Sequence, residues 1–178
     1  AAVRDERGFS LLELVIVIVL VSLLLVVAVD RLLRLRFEAE RVMVESMLTG
    51  LRSALYIEFA GAAVRGRTDA MAAAAAGSNP MKLLAERPDT YAGEYAAADP
   101  ASVAPGTWYF DTRERHLVYV VRFPEQFVTP LPGPARVRLR VEPDFDDLDG
   151  NGRFDPGRDS ARGLRLVPVE PFTWKARQ

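Results

Sequence analysis

Residues 11–29 read LLELVIVIVLVSLLLVVAV. These nineteen positions hold one ionisable side chain, Glu13, and one hydroxyl, Ser22. About 20 apolar residues cross the hydrocarbon core of a bilayer as a helix. The stretch is long enough for that, and it is too apolar all round to be one face of a soluble helix. Val and Ile lower helix propensity in water, but in lipid the backbone must satisfy its own hydrogen bonds, and helix results. Three readings stay open on these residues alone. The span is a cleaved secretory signal, with Val26-Val27-Ala28 as a weak small-residue site, an uncleaved membrane anchor, or a buried core helix. The flanking charges do not decide between them. Arg31, Arg34, Arg36 and Arg41 follow the span, whereas Arg4 and Arg7 before it are offset by Asp5 and Glu6. Counted by the positive-inside rule, that places the C-terminal side in the cytoplasm.

Composition narrows the chemistry. The chain has 178 residues and a formal net charge of −1, so no global field draws in nucleic acid or an anionic surface. There are no cysteines, which excludes disulfides, thiolate catalysis and Cys-ligated zinc. The single histidine, His116, excludes multi-His metal sites. It stands at the start of a predicted strand and is expected to be a surface or half-buried residue there. Trp108 and Trp174 are expected to pack.

The residues just before the span separate the three readings. Gly8-Phe9-Ser10-Leu11-Leu12-Glu13 runs directly into the apolar segment. It resembles the processing site of type IV prepilins and type II secretion pseudopilins. The resemblance implies cleavage by a prepilin peptidase between Gly8 and Phe9, N-methylation of Phe9, and Glu13 as the assembly carboxylate. It also implies a bacterial inner-membrane precursor with its head in the periplasm. The partners are then other pilin-like subunits and a pilus or secretion assembly platform. Residues 79–110, NPMKLLAERPDTYAGEY…PGTWYF, are similar in layout to the globular part of some minor and MSHA-type pilins. No proline precedes Pro80, whereas major pilins often carry one late in the apolar helix. That departure leans towards a pseudopilin or minor pilin.

The physical case for Glu13 stands beside the resemblance. An ionised carboxylate in hydrocarbon is costly and is usually paired or functional. Cleavage after Gly8 creates a cationic amine on Phe9, and Glu13 lies about 6 Å further along a helix at 1.5 Å per residue. Subunits staggered along a filament axis can then pair Glu13 of one with the Phe9 amine of the next. The competing reading is a Glu that snorkels to the interface.

Beyond the span, residues 30–60 lack proline. Phe37, Val44, Leu48, Leu51, Leu55 and Phe59 recur at mostly three- and four-residue gaps, a helical stripe. Glu38, Glu40, Arg41, Glu45, Arg52 and Glu58 are assigned to the polar face. The helix is expected to end near Gly61. An Ala-rich tract follows at 71–76, then a short helix at 81–86 stopped by Pro88, and an irregular loop at 91–105. Strands are predicted at 107–110 and 116–123 around a hairpin loop at 111–115. Residues 136–141, RVRLRV, alternate strictly and form another strand, with 164–169 as a fourth. Arg136, Arg138 and Arg140 make a row that faces solvent or an acidic neighbour. The predicted fold class is α+β: a long N-terminal helix, transmembrane and then amphipathic, packed on a small antiparallel sheet head, pilin-like. Residues 1–8 are the expected leader, 9–30 the transmembrane and polymerisation helix, and 31–178 the head with the second half of the helix.

Residues 144–159 read DFDDLDGNGRFDPGRD. Asp147, Asp149 and Asn151 stand at positions one, three and five of a calcium loop, with Gly152 at the sixth. Arg153 supplies a backbone carbonyl at the seventh, and Asp155 stands at the ninth. The stretch resembles EF-hand-type loops of exported bacterial proteins. The twelfth position is Arg158 in place of a bidentate Glu, and Asp159 is one residue late. Calcium is the expected cofactor, and a solvated acidic turn is the competing reading.

No nucleophile elbow, phosphate loop or metal–His cluster exists, so the chain reads as a structural subunit and not an enzyme. The resemblance makes it a subunit of a type IV pilus or a type II secretion pseudopilus. The alternative is a membrane-anchored adhesive or DNA-binding minor pilin at a filament tip, although three arginines are thin support for nucleic acid. A hydrolase using scattered carboxylates is the third reading.

Overall fold

The computed structural model describes residues 10–175, the side chain of Arg34 excepted. Gly8, Phe9 and the expected leader 1–8 lie outside the described residues. The chain divides into two units, one ending at Ala39 and one beginning at Glu40.

Helix α1 spans Leu11–Val64. In the first unit none of its most apolar eighteen-residue window is buried. Leu11, Leu24 and Val26 are 82%, 69% and 68% exposed. Apolar surface open on every side of a helix has to be covered by lipid or by other helices.

In the second unit the stripe is buried. Val44, Leu51 and Leu55 are fully covered, with Leu48 and Phe59 close behind. Val44, Leu48, Leu51 and Leu55 cluster with the inner residues of a five-stranded sheet, Trp108, Phe110, Leu117, Tyr119, Val137, Leu139, Val141 and Leu166, whereas Phe59 packs with Ala72 and Ala161. The strands are β1 Tyr91–Tyr95, β2 Trp108–Asp111, β3 His116–Val120, β5 Arg136–Asp146 and β6 Ser160–Pro168, in the order β1-β2-β3-β5-β6. Strands β2 to β6 pair antiparallel, with Trp108 opposite Tyr119 and Tyr119 opposite Val137. A separate ribbon pairs β4 Phe127–Val128 with β7 Thr173–Trp174. The fold is the predicted α+β arrangement of one long helix and a small, mostly antiparallel sheet.

Several boundaries differ, each for a local reason. Helix α1 runs past Gly61 to Val64 because Ala62 is buried and one more turn extends that face. The Ala-rich tract is helix α2, Thr68–Ala75, which buries Ala72 and Ala75. Just past its end, the Arg115 guanidinium donates to Ala76 O and Gly77 O. The short helix expected at 81–86 is only a 3₁₀ turn, Pro80–Leu83, started by Asn79 Oδ1 accepting from Met81 N. Residues 91–95 form a strand, not part of an irregular loop. β1 pairs parallel with β2, so the sheet is not wholly antiparallel, and its register shifts between Tyr91 and Glu94 around Gly93. Gly93 sits at φ +111, a conformation that suits a bulge. β6 begins at Ser160, four residues before the predicted start.

Candidate functional site

Glu13 lies in the first turn of α1. Ser10 Oγ accepts from Glu13 N at 3.2 Å, and Leu14 N donates to Ser10 O. Ser10 is thus the N-cap, and Ser-x-x-Glu is a capping spacing that sequence reading had passed over. A carboxylate near a helix N-terminus gains about 0.3–1 kcal/mol from the dipole. Burying that charge unpaired costs several kcal/mol. The dipole alone therefore does not offset burial of an ionised Glu13 in an apolar setting. Phe9, its expected partner, lies outside the described residues.

Glu40 overturns its assignment to the polar face, because it is only 6% exposed. Its Oε1 accepts from Tyr119 Oη at 2.8 Å and Arg122 N at 2.6 Å, and its Oε2 from Phe123 N at 2.9 Å. The signal was present in the spacing, since Glu40 falls three residues after Phe37 and four before Val44, inside the apolar stripe. Burial and the adjacent carboxylate push the Tyr119 phenol far up, so it remains a donor.

The acidic loop connects β5 to β6 as a chain of side chain–backbone bonds. Asp147 accepts from Gly150 N and Gly152 N, both at 2.8 Å. The Gly152 bond is the main reason its carboxyl sits below the usual range. Asp159 is 3% exposed and accepts from Leu148 N at 3.0 Å and Asp155 N at 2.7 Å, tying the start of the loop to its middle. The carboxylates of Asp147, Asp149 and Asp159 present oxygens within 4.8 Å of one another. Two ligands of one calcium ion, at 2.3–2.6 Å each, lie no further apart than about that. The donor set therefore fits a hard divalent ion.

In the loop template the closing position falls on Arg158, with the candidate Asp159 one residue late. Main-chain N–H groups of Arg158 and Asp159 both donate to Asp155 O at 3.0 Å. That turn absorbs the extra residue and swings Asp159 into the cluster. Arg158 instead lies 3.8 Å from Asp149 Oδ2. Asp155 is outside the converging set, and its Oδ2 accepts from Asn151 Nδ2 at 2.7 Å. Asn151 Oδ1 accepts from Arg153 N at 2.6 Å. The loop is anchored by Phe154, which meets Phe145 at 5.3 Å between ring centroids and packs beside Phe59 and Ala161.

The arginine row is largely engaged within the head. Arg138 pairs with Glu170, Arg140 with Glu142, and Arg136 donates to Pro132 O and Pro134 O. His116 is 7% exposed, more buried than expected, and burial next to Arg138 and Arg140 holds its pKa down. Its Nδ1 has no hydrogen-bond partner among the described residues. Both tryptophans pack, Trp108 on Tyr119 and Trp174 on Phe127.

A family model described as the prokaryotic N-terminal methylation motif matches residues 3–29. No curated protein and no solved structure matches the chain. The match covers Gly8, Phe9 and Glu13 together with the apolar span. Residues 3–29 of this chain are the prepilin-type methylation motif of type IV pilins and pseudopilins.

Proposed function

We propose that the chain is a structural subunit of a type IV pilus or a type II secretion pseudopilus. It enters the inner membrane by residues 9–30 with its head in the periplasm. Prepilin peptidase cleaves it between Gly8 and Phe9, and it polymerises through its N-terminal helix on an assembly platform. The observation that carries this reading is the methylation motif running into a helix whose apolar side chains are exposed on every side. Intact-protein mass spectrometry of chain recovered from cells with active prepilin peptidase tests it. The expected N-terminus is Phe9 bearing a methylated amine. A terminus near Asp30, or an unprocessed leader, refutes the reading.

Calcium in the β5–β6 loop is part of the same proposal. Asp147, Asp149 and Asp159 would hold the ion with side-chain oxygens, and Asn151 and the Arg153 carbonyl would complete the set. Without a cation these carboxylates repel one another. With Arg158 at the usual glutamate position, affinity falls in the weak extracellular range, about 10⁻⁴–10⁻³ M. At about 10 mM calcium, mass action then adds roughly 1.4–2.7 kcal/mol and raises the melting midpoint by roughly 3–10 °C. The comparison is a thermal melt of the full chain in detergent, with calcium or with chelator. An unchanged midpoint, or an equal shift in Asp147→Ala/Asp149→Ala, returns the loop to a solvated turn.

A further inference from the structure

We propose that Asn151 is a self-modifying residue, converted by the chain's own backbone to aspartate or isoaspartate. An asparagine side chain can be attacked by the main-chain nitrogen of the next residue, closing a five-membered ring. The reaction is fastest when that residue is glycine, which has no Cβ to block the approach. Asn151 is followed by Gly152, both are exposed, and no atom lies within 4 Å of where a Gly152 Cβ would stand.

The loop arranges the groups this reaction needs. The nucleophile's hydrogen, on Gly152 N, is donated to the Asp147 carboxylate at 2.8 Å, where a general base belongs. The electrophile's oxygen, Asn151 Oδ1, accepts from Arg153 N at 2.6 Å, where negative charge develops as the ring closes. The departing nitrogen, Asn151 Nδ2, donates to Asp149 Oδ2 at 2.9 Å and Asp155 Oδ2 at 2.7 Å. Nucleophile, base, oxyanion donor and leaving group are thus placed by one loop of main chain.

The steps balance without an outside reagent other than water. Gly152 N gives its proton to Asp147, and its electron pair forms a bond to Asn151 Cγ. The C=O electrons move onto Oδ1 and then return, breaking the Cγ–Nδ2 bond. The amide nitrogen leaves as ammonia, taking back the proton from Asp147. Water opens the cyclic imide at either carbonyl, giving aspartate or isoaspartate. The sum is amide plus water to acid plus ammonia, with nothing oxidised or reduced. The aspartate product puts a carboxylate at the fifth loop position, and so raises the negative charge facing the Asp147–Asp149–Asp159 cluster. Any gain in calcium affinity from that charge rests on the calcium reading; the conversion itself does not.

The test follows the full chain in detergent micelles, at neutral pH and 37 °C with chelator, by peptide mapping and an isoaspartate assay. Expected is loss of the amide at Asn151 ahead of the same chain held unfolded in urea; Asn79, the one other asparagine, precedes Pro80 and cannot follow this route. Asp147→Asn, which keeps the shape and the acceptor oxygen but not the charge, is expected to slow conversion by about tenfold. Two results overturn the proposal: an amide still intact at Asn151 once the urea sample has converted, or an Asp147→Asn rate equal to wild type. Adding calcium forms a separate arm. If conversion proceeds at an unchanged rate in calcium while the other arms behave as expected, it is the calcium reading that fails.

Discussion

Glu40→Ala is expected to cost the head about 3–5 kcal/mol. The substitution removes the acceptor for three donors at once: the Tyr119 hydroxyl and the main-chain N–H groups of Arg122 and Phe123. Tyr119 is fully buried beneath Trp108, and water cannot replace the carboxylate there without opening the core. Glu40→Gln keeps the volume but turns an amide nitrogen towards an N–H, leaving one donor unmet at about 1–3 kcal/mol. Tyr119→Phe removes only one of the three bonds, and its cost should shrink when combined with Glu40→Ala, because the two share a partner. Exposed Glu45 is the control, within about 0.5 kcal/mol of wild type on replacement by Ala. Urea titration of the full chain in detergent, read by near-ultraviolet circular dichroism, measures all four. A Glu40→Ala midpoint equal to that of Glu45→Ala would show that the buried carboxylate does not hold the helix to the end of β3.

Glu13→Ala should leave membrane insertion intact and nearly abolish assembly. The variant loses a charge from the apolar span, so insertion is unchanged or improved. A neighbour's Phe9 amine then meets no carboxylate. Leaving one member of a buried pair uncompensated costs about 3–5 kcal/mol, which is a hundredfold or more in incorporation at about 1.4 kcal/mol per tenfold. Glu13→Asp retains the charge with shorter reach and falls between. The measurement is co-expression of tagged variant and wild type, followed by their ratio in the membrane and in sheared filaments. Equal ratios in the two fractions would refute the Phe9–Glu13 pairing and leave Glu13 as a first-turn residue whose N–H is capped by Ser10.

The sequence was most legible where one physical demand dominates. An apolar run with a single charge permits only a helix, and strict alternation in Arg136–Val141 permits only a half-buried strand. β1 was hidden because Ala92 and Gly93 have low strand propensity. It exists through main-chain bonding to β2, which no local pattern announces. Glu40 was misassigned because charged residues were allotted to the wet face by type and not by phase. In the acidic loop, spacing named Asp159 beside Asp147 and Asp149 as a candidate ligand, but it could not say that these three carboxylates converge and Asp155 does not, since the fixed template closes at position 158. The doubly bonded Asp155 carbonyl decides which side chain arrives there, and that is a property of the folded turn. His116 was underestimated because its burial comes from the strands on either side of β3 and from the 97–100 segment, which no pattern around residue 116 announces.

The irregular first strand has a consequence for the proposed filament. Subunits held side by side at high local concentration risk joining through open strand edges, a route to aggregation. β1 is only five residues long, carries a bulge at Gly93, and sets Glu94 in an ion pair with Lys82 beside it. At the other margin of the sheet, the Ala161 N–H is already taken by Asp69 of α2. β1 is thus a poor template for another chain's strand, and β6 is occupied at its start. On the proposed function, self-association is then left to the helix, and growth follows one geometry and not two in competition.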